Sequence, residues 1–152
     1  MNSFKIKLKN IKLLRSEVRD HPIVFSEGFN IQDVQLEVDS KFNFSDKYLQ
    51  NFMHFKFEIE DSGKVISLGH FDIIYTFEVN RLEDIVKDEV TKKSLQLNII
   101  SIAYSTSRGI LYSETKGYSL NDIHLQPISP NDFYQSLLKD KAETEDLSIS
   151  ID

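Results

Sequence analysis

The feature that most constrains the fold of this chain is an alternation of apolar and polar residues running from Val34 to Val79. Val34, Leu36, Val38, Phe42 and Phe44 fall on even positions, with Asp33, Gln35, Glu37, Asp39, Lys41 and Asn43 between them. Successive side chains of a β-strand point to opposite faces, so a period of two predicts a strand with one apolar and one wet face. Met53, Phe55, Phe57 and Ile59 repeat the pattern on odd positions, and Asp61-Ser62-Gly63-Lys64 supplies a hairpin turn. The next run begins on even positions with Ile66 and Leu68, then moves to odd ones with Phe71, Ile73, Tyr75, Phe77 and Val79. A change of phase by one residue at Gly69-His70 is what a β-bulge produces. Earlier in the chain Phe4, Ile6 and Leu8 alternate with lysines, which predicts a further strand from Phe4 to Leu14.

From Glu17 to Ile31 the alternation breaks. Pro22 and Gly28 mark a long crossover, yet it carries Ile23, Val24, Phe25, Phe29 and Ile31, so it is expected to lie against an apolar surface. Arg81 to Lys93 is charged and reads either as a short amphipathic helix or as a surface loop. Leu95 to Tyr112 predicts a helix, because Leu95, Ile99, Ile102, Ala103, Thr106 and Ile110 recur at spacings of three and four. Gly109 is a candidate terminator. Gly117 to Ile128 is extended or looped. Ser129 then caps a second helix, with Pro130 in its first turn and Asp132 completing a variant capping box. Phe133, Leu137 and Leu138 form its apolar stripe. Strands followed by helices imply an α+β fold with helices over one face of the sheet. One domain is expected over residues 1–141, and the acidic, Ser-rich segment 142–152 is expected to be a disordered tail.

Composition narrows the function. A net charge of −6 disfavours nucleic acid, whose binders carry basic stripes. The one dense basic run, Lys5 to Lys12, alternates with apolar residues as the wet face of a strand does. There is no cysteine, hence no disulfide, thiolate metal site or Cys nucleophile. The start of the chain lacks a signal-peptide core, and no apolar run is long enough to span a bilayer. A cytoplasmic location without membrane insertion is the expectation.

The four histidines, His21, His54, His70 and His124, share no short ligand spacing. His54 and His70 fall on neighbouring strands, where they are expected to form an ordinary cross-strand pair rather than a ligand pair. There is no GxSxG elbow and no glycine-rich phosphate loop. Ser107-Arg108 stands towards a helix C-terminus, where the dipole disfavours anions, so Arg108 is expected to offset that dipole or to pair with a carboxylate. No catalytic residue, cofactor or metal ligand is assigned, and the chain is not expected to be an enzyme. What remains is an aromatic excess of eleven Phe and six Tyr without Trp. Most must be core. Phe25 and Phe29, with Tyr134 and Leu137, are candidates for lining an apolar groove, the usual mark of a binding site. Periodicity leaves groove and core equally open.

Phe4-Lys-Ile-Lys7, Pro22-Ile-Val-Phe25, Val34-Gln-Leu-Glu-Val-Asp39, Ile73-Ile-Tyr-Thr-Phe77, Ser107-Arg-Gly109, Leu125-Gln-Pro-Ile128 and Asp132-Phe133 together resemble, in order and spacing, the protein-export chaperone SecB. The resemblance implies a four-stranded antiparallel sheet with a long crossover, followed by two helices. It also implies a homotetramer built as a dimer of dimers, with Ile99, Ile102 and Ala103 at the interface between dimers. The implied activity is ATP-independent holding of unfolded preproteins, keeping them export-competent for a SecA-type motor. The implied groove residues are Val24, Phe25, Phe29, Leu36, Phe133, Tyr134 and Leu137, and Glu17 falls at a position of motor contact. Residues 142–152 contain neither Cys nor His, unlike the zinc tail of many SecB proteins, and Leu13 and Leu68 stand where acidic motor contacts are expected. A SecB-like chaperone serving one client, such as an antitoxin, is therefore the alternative. A small-ligand-binding α+β domain is a third reading.

Overall fold

The structure, a computed structural model, describes residues 5–123, 125 and 129–143, the last five as backbone only. Phe4, His124, Gln126-Pro127-Ile128 and residues 144–152 lie outside the described residues, and so do the expectations placed on them. Four strands, β1 (Ile6–Val18), β2 (Gln35–Ser45), β3 (Tyr48–Asp61) and β4 (Lys64–Val79), form one antiparallel sheet in the order β1-β4-β3-β2. After them come a one-turn helix α1 (Leu82–Ile85), the long α2 (Glu89–Glu114) and α3 (Pro130–Glu143). This is the α+β architecture expected from the sequence.

The alternation becomes a two-faced sheet. The odd residues Leu49 to Ile59 of β3 and Phe71 to Val79 of β4 are buried, and α2 packs across these two central strands. The bulge lies one residue earlier than expected. Phe57 faces Gly69 while Glu58 faces Ser67, so Leu68 is the extra residue, and Leu68 and Gly69 are both buried. Gly69 suits this close approach: a Cβ would stand 2.6 Å from Leu120 Cδ1 and 3.1 Å from Phe71 Cε2, so the Leu120 side chain would have to shift.

Strand β1 is longer than its sequence pattern, which breaks at Glu17; the ladder with β4 continues to Val18. Register shifts between Leu8 and Asn10 and between Leu13 and Arg15 hide the later alternation from a sequence reading. They keep Leu8, Ile11 and Leu13 on the helix side, opposite Phe77, Tyr75 and Ile73. These three stay 37–40% exposed, since β1 is an edge strand and α2 covers β3 and β4 instead.

Helix α2 runs through Gly109 instead of stopping there. A mid-helix glycine costs about 1 kcal/mol, whereas burying Leu111 beyond it is worth about 1.5–3 kcal/mol, and Leu111 is only 4% exposed. The helix ends near Gly117, which takes a φ of 86°. There Thr115 Oγ1 donates to Leu111 O at 2.8 Å and Asn121 Nδ2 to Tyr112 O at 2.9 Å, satisfying terminal carbonyls. Helix α3 begins as the capping pattern predicts, with Asp132 N donating to Ser129 Oγ at 3.4 Å. It extends to Glu143, two residues into the segment expected to be tail.

Candidate functional site

The crossover between β1 and β2 is held in shape by local hydrogen bonds. Arg19 N donates to Leu68 O at 3.0 Å, continuing the line of the strand. A 3-10 turn over Pro22–Phe25 is capped by His21 Nδ1, which accepts from Ile23 N at 3.2 Å. Ser26 closes it, its Oγ donating to Ile23 O at 2.7 Å. A second turn, Ile31–Asp33, is capped by Asn30 Oδ1, which accepts from Gln32 N at 3.0 Å. Asp20 Oδ1 accepts from Ser119 N at 3.0 Å, tying the crossover to the segment after α2. Ile23, Val24 and Phe29 pack half-buried against the core, while Phe25 is 74% exposed. Leu36, at the start of β2, is 38% exposed.

Between the crossover and the end of β3 lies a cavity of about 980 Å³. Pro22, Ile23, Phe29 and Ile59 give it an apolar part, while His21, Ser26, Gln32 and Gln35 and the carboxylates of Asp33, Glu60 and Asp61 make the larger, polar part of its lining. No lysine or arginine lines it among the described residues. Of the seven residues assigned to a groove from the sequence, Phe29 alone lines this cavity. Ile59, Glu60 and Asp61 belong to it only because β3 is long enough to reach under the crossover.

The helical half of the assignment lies elsewhere. Phe133, Tyr134 and Leu137 are 9%, 9% and 4% exposed, turned towards α2. Phe133 meets the Tyr104 ring edge-to-face at 6.0 Å, and Tyr134 Oη donates to Gln96 Oε1 at 3.1 Å. Burial pushes the Tyr134 phenol up, so it stays a neutral donor. Within one protomer these side chains are packing residues between two helices, because an α3 of only a few turns spends its apolar stripe on its nearest neighbour.

The oligomer assignment needs a similar correction. Ile99 and Ala103 are fully buried within the protomer and present no surface to a second copy, while Ile102 is 37% exposed. The outward face of α2 consists of Ser94, Asn98, Ser101, Ile102, Ser105, Gly109 and Tyr112, all exposed and uncharged. The sequence pattern could not separate the faces, since α2 is apolar over more than one stripe.

Ser107 and Arg108 act structurally. Ser107 Oγ and Tyr75 Oη are 2.6 Å apart and buried, stitching α2 to the sheet, and burial pushes the Tyr75 phenol up. Arg108 Nε donates to Leu125 O at 2.8 Å, tethering the loop before α3. Arg108 thus holds a backbone carbonyl through this bond, and the helix continues past it.

Glu17 lies on the outer face of the sheet, away from the helices. Arg15 NH2 donates to its Oε2 at 2.9 Å, and that bond holds the Glu17 carboxyl below the usual carboxylate range. Beside it, His54 and His70 meet edge-to-face with ring centroids 4.5 Å apart, and Asp72 joins them. Burial first, then the neighbouring His54, hold His70 below the ordinary histidine value. No helix among the described residues is long and apolar enough to cross a membrane.

No family model matches the sequence, and no curated protein matches it. Among solved structures, the chain is similar to the SecB-like chaperone Rv1957 of Mycobacterium tuberculosis, solved in complex with a ChAD peptide from the Rv1956 HigA1 antitoxin. The TM-score is 0.56 at 17% identity, over 82% of this chain and 91% of that one. A protein of unknown function from Streptococcus agalactiae aligns with a TM-score of 0.30 at 10% identity, over 82% of this chain and 99% of that one. The first likeness shows a SecB-like fold.

Proposed function

We propose that this protein is an ATP-independent holdase that captures extended apolar segments of unfolded polypeptides on its crossover face. The observation that carries this reading is Phe25. Phe25 is held 74% exposed on a segment pinned by capping bonds, next in sequence to Ser26 of the cavity lining, so a fixed apolar ring is offered to solvent beside a concave surface. The adjoining cavity of about 980 Å³ combines an apolar part with a larger polar part that bears the carboxylates. That combination suits aromatic or aliphatic side chains flanked by lysine or arginine. The SecB-like fold supports the same reading, and no nucleotide-binding loop is required for burial-driven capture.

A second reading, service to a single client, draws support from the fold neighbour solved with an antitoxin peptide. Delivery to a SecA-type motor would use Glu17, whose carboxylate is already engaged by Arg15. Assembly of copies would use the uncharged outward face of α2 and the open edge of β1, and a cytoplasmic setting fits both readings.

The test is suppression of aggregation of a diluted, chemically unfolded protein, without nucleotide, at near-stoichiometric ratios. Suppression across several unrelated clients supports general holding. Activity confined to one co-purifying partner supports the dedicated form. A folded sample that suppresses nothing and retains no partner refutes both.

A further inference from the structure

The outer face of the sheet carries a group of side chains that the holdase reading does not use. Strand register sets His54 opposite Asp72 and Lys56 opposite His70, so two imidazoles and a carboxylate from β3 and β4 fall together. His54 Nδ1 lies 2.5 Å from Asp72 Oδ1 and 3.2 Å from His70 Nε2, and His70 Nε2 lies 3.6 Å from Asp72 Oδ2. Among the described residues no other trio of His, Cys, Asp or Glu brings its ligand atoms so close.

We propose that His54, His70 and Asp72 bind a divalent transition metal of the zinc class. The ligands are His54 Nδ1, His70 Nε2 and a carboxylate oxygen of Asp72, with a fourth position open to solvent. A tetrahedral ion with zinc–ligand bonds of about 2.0–2.1 Å sets neighbouring ligand atoms about 3.3 Å apart. The two nitrogens already stand 3.2 Å apart, while Asp72 Oδ1, 2.5 Å from His54 Nδ1, must draw back by about 0.8 Å to serve as the third ligand. Proton counting points the same way. His54 Nδ1 carries at most one hydrogen, and that hydrogen serves either Asp72 or His70, not both. If it goes to Asp72, His70 Nε2 faces an N–H edge, too far from the carboxylate at 3.6 Å for a good hydrogen bond of its own. One cation satisfies all three lone pairs at once. Two imidazoles select zinc, copper or nickel over magnesium or calcium, which prefer oxygen ligands.

Arg15 opposes binding, since its NH1 is 3.5 Å from His70 Nε2. Its side chain is 44% exposed and bonded to Glu17, so it can swing into solvent with its charge still paired. The site is therefore one in which arginine and metal compete, and this makes the direction of two kinds of substitution opposite.

Titrating the EDTA-stripped full chain with Zn²⁺ by calorimetry, with Co²⁺ as an absorption probe, tests the site. We expect one Zn²⁺ per chain, affinity weakened at least about tenfold by His54→Asn, His70→Asn or Asp72→Asn, and affinity strengthened by Arg15→Ala. Thermal melting of each metal-free variant at about pH 7.5 or above, where His70 is neutral in both folded and unfolded chains, should show the variants still folded, since all four side chains lie on the sheet face away from the helices, His70 being the most covered at 16% exposed. No zinc binding by the folded parent overturns the proposal. So does binding that the three ligand substitutions leave unchanged, which would place the ion elsewhere.

Discussion

Replacing Phe25 by Ser should separate binding from stability. Phe25 is 74% exposed, so about a quarter of its surface is buried by the fold. Full burial of a Phe side chain is worth about 1.5–3 kcal/mol. The folded state therefore loses about 0.4–0.8 kcal/mol on substitution, while a client that covers the rest loses about 1.1–2.2 kcal/mol. At 1.4 kcal/mol per factor of ten, that weakens client affinity about 6- to 40-fold. Phe133→Ala is the counterpart. Phe133 is 9% exposed and packs on Tyr104, so its loss should cost about 3–5 kcal/mol of stability. Affinity is read from fluorescence anisotropy of a labelled unfolded polypeptide, and stability from urea unfolding. The reasoning fails if Phe25→Ser changes affinity less than about twofold, or if it destabilises the chain as much as Phe133→Ala does.

Gly69→Ala should destabilise by about 1–3 kcal/mol in urea unfolding, because the new Cβ meets Leu120 Cδ1 at 2.6 Å, and Leu120→Ala in the same chain should recover part of that loss. Tyr75→Phe strands the buried Ser107 hydroxyl and should cost about 1–3 kcal/mol, with the Tyr75→Phe/Ser107→Ala pair less damaging than the sum of the single changes. Arg108→Ala removes the bond to Leu125 O, so hydrogen exchange should quicken in the loop before α3 while β3 and β4 stay protected. His70 is faced by His54 and Lys56 from β3, by Arg15 and Glu17 from β1 and by Asp72 on its own strand. Its folded value is depressed, so the unfolded chain takes up the proton first as pH falls. Stability from the neutral ring is full above about pH 6.5, and it declines on acidification through that value towards the lower folded one. Denaturation in EDTA at several pH values should show this slope, and His70→Gln should flatten it.

Much of the fold was readable from the chain because the sheet has one buried and one wet face. That condition writes a period of two into β2, β3 and β4, and it located the hairpin at Asp61–Lys64 and the bulge to within a residue. The cap at Ser129 was equally legible, since its hydrogen bond joins residues three apart. The end of β1 was not. Its bulges at Lys9 and Leu14 reset the alternation twice, so the sequence reads as loop where the ladder to β4 continues. Gly109 misleads in the same way, because a local preference for stopping is overruled by the burial of Leu111.

By itself, the sequence determined most of the strands, the class of the fold, the absence of cysteine and of a glycine-rich phosphate loop, and an aromatic surplus of eleven Phe and six Tyr. Each of these follows from residue type and spacing along one segment. Tertiary structure alone decided which aromatics face out. Phe25 and Phe133 have the same side chain, yet one is 74% exposed and the other 9%, because only the second is met by a neighbouring helix. It also decided that Ile99 and Ala103 point inward, that Ile59–Asp61 lie beneath the crossover, and that His54, His70 and Asp72 converge. These depend on strand register and helix rotation, which bring together residues distant in sequence and leave no periodic trace in the chain.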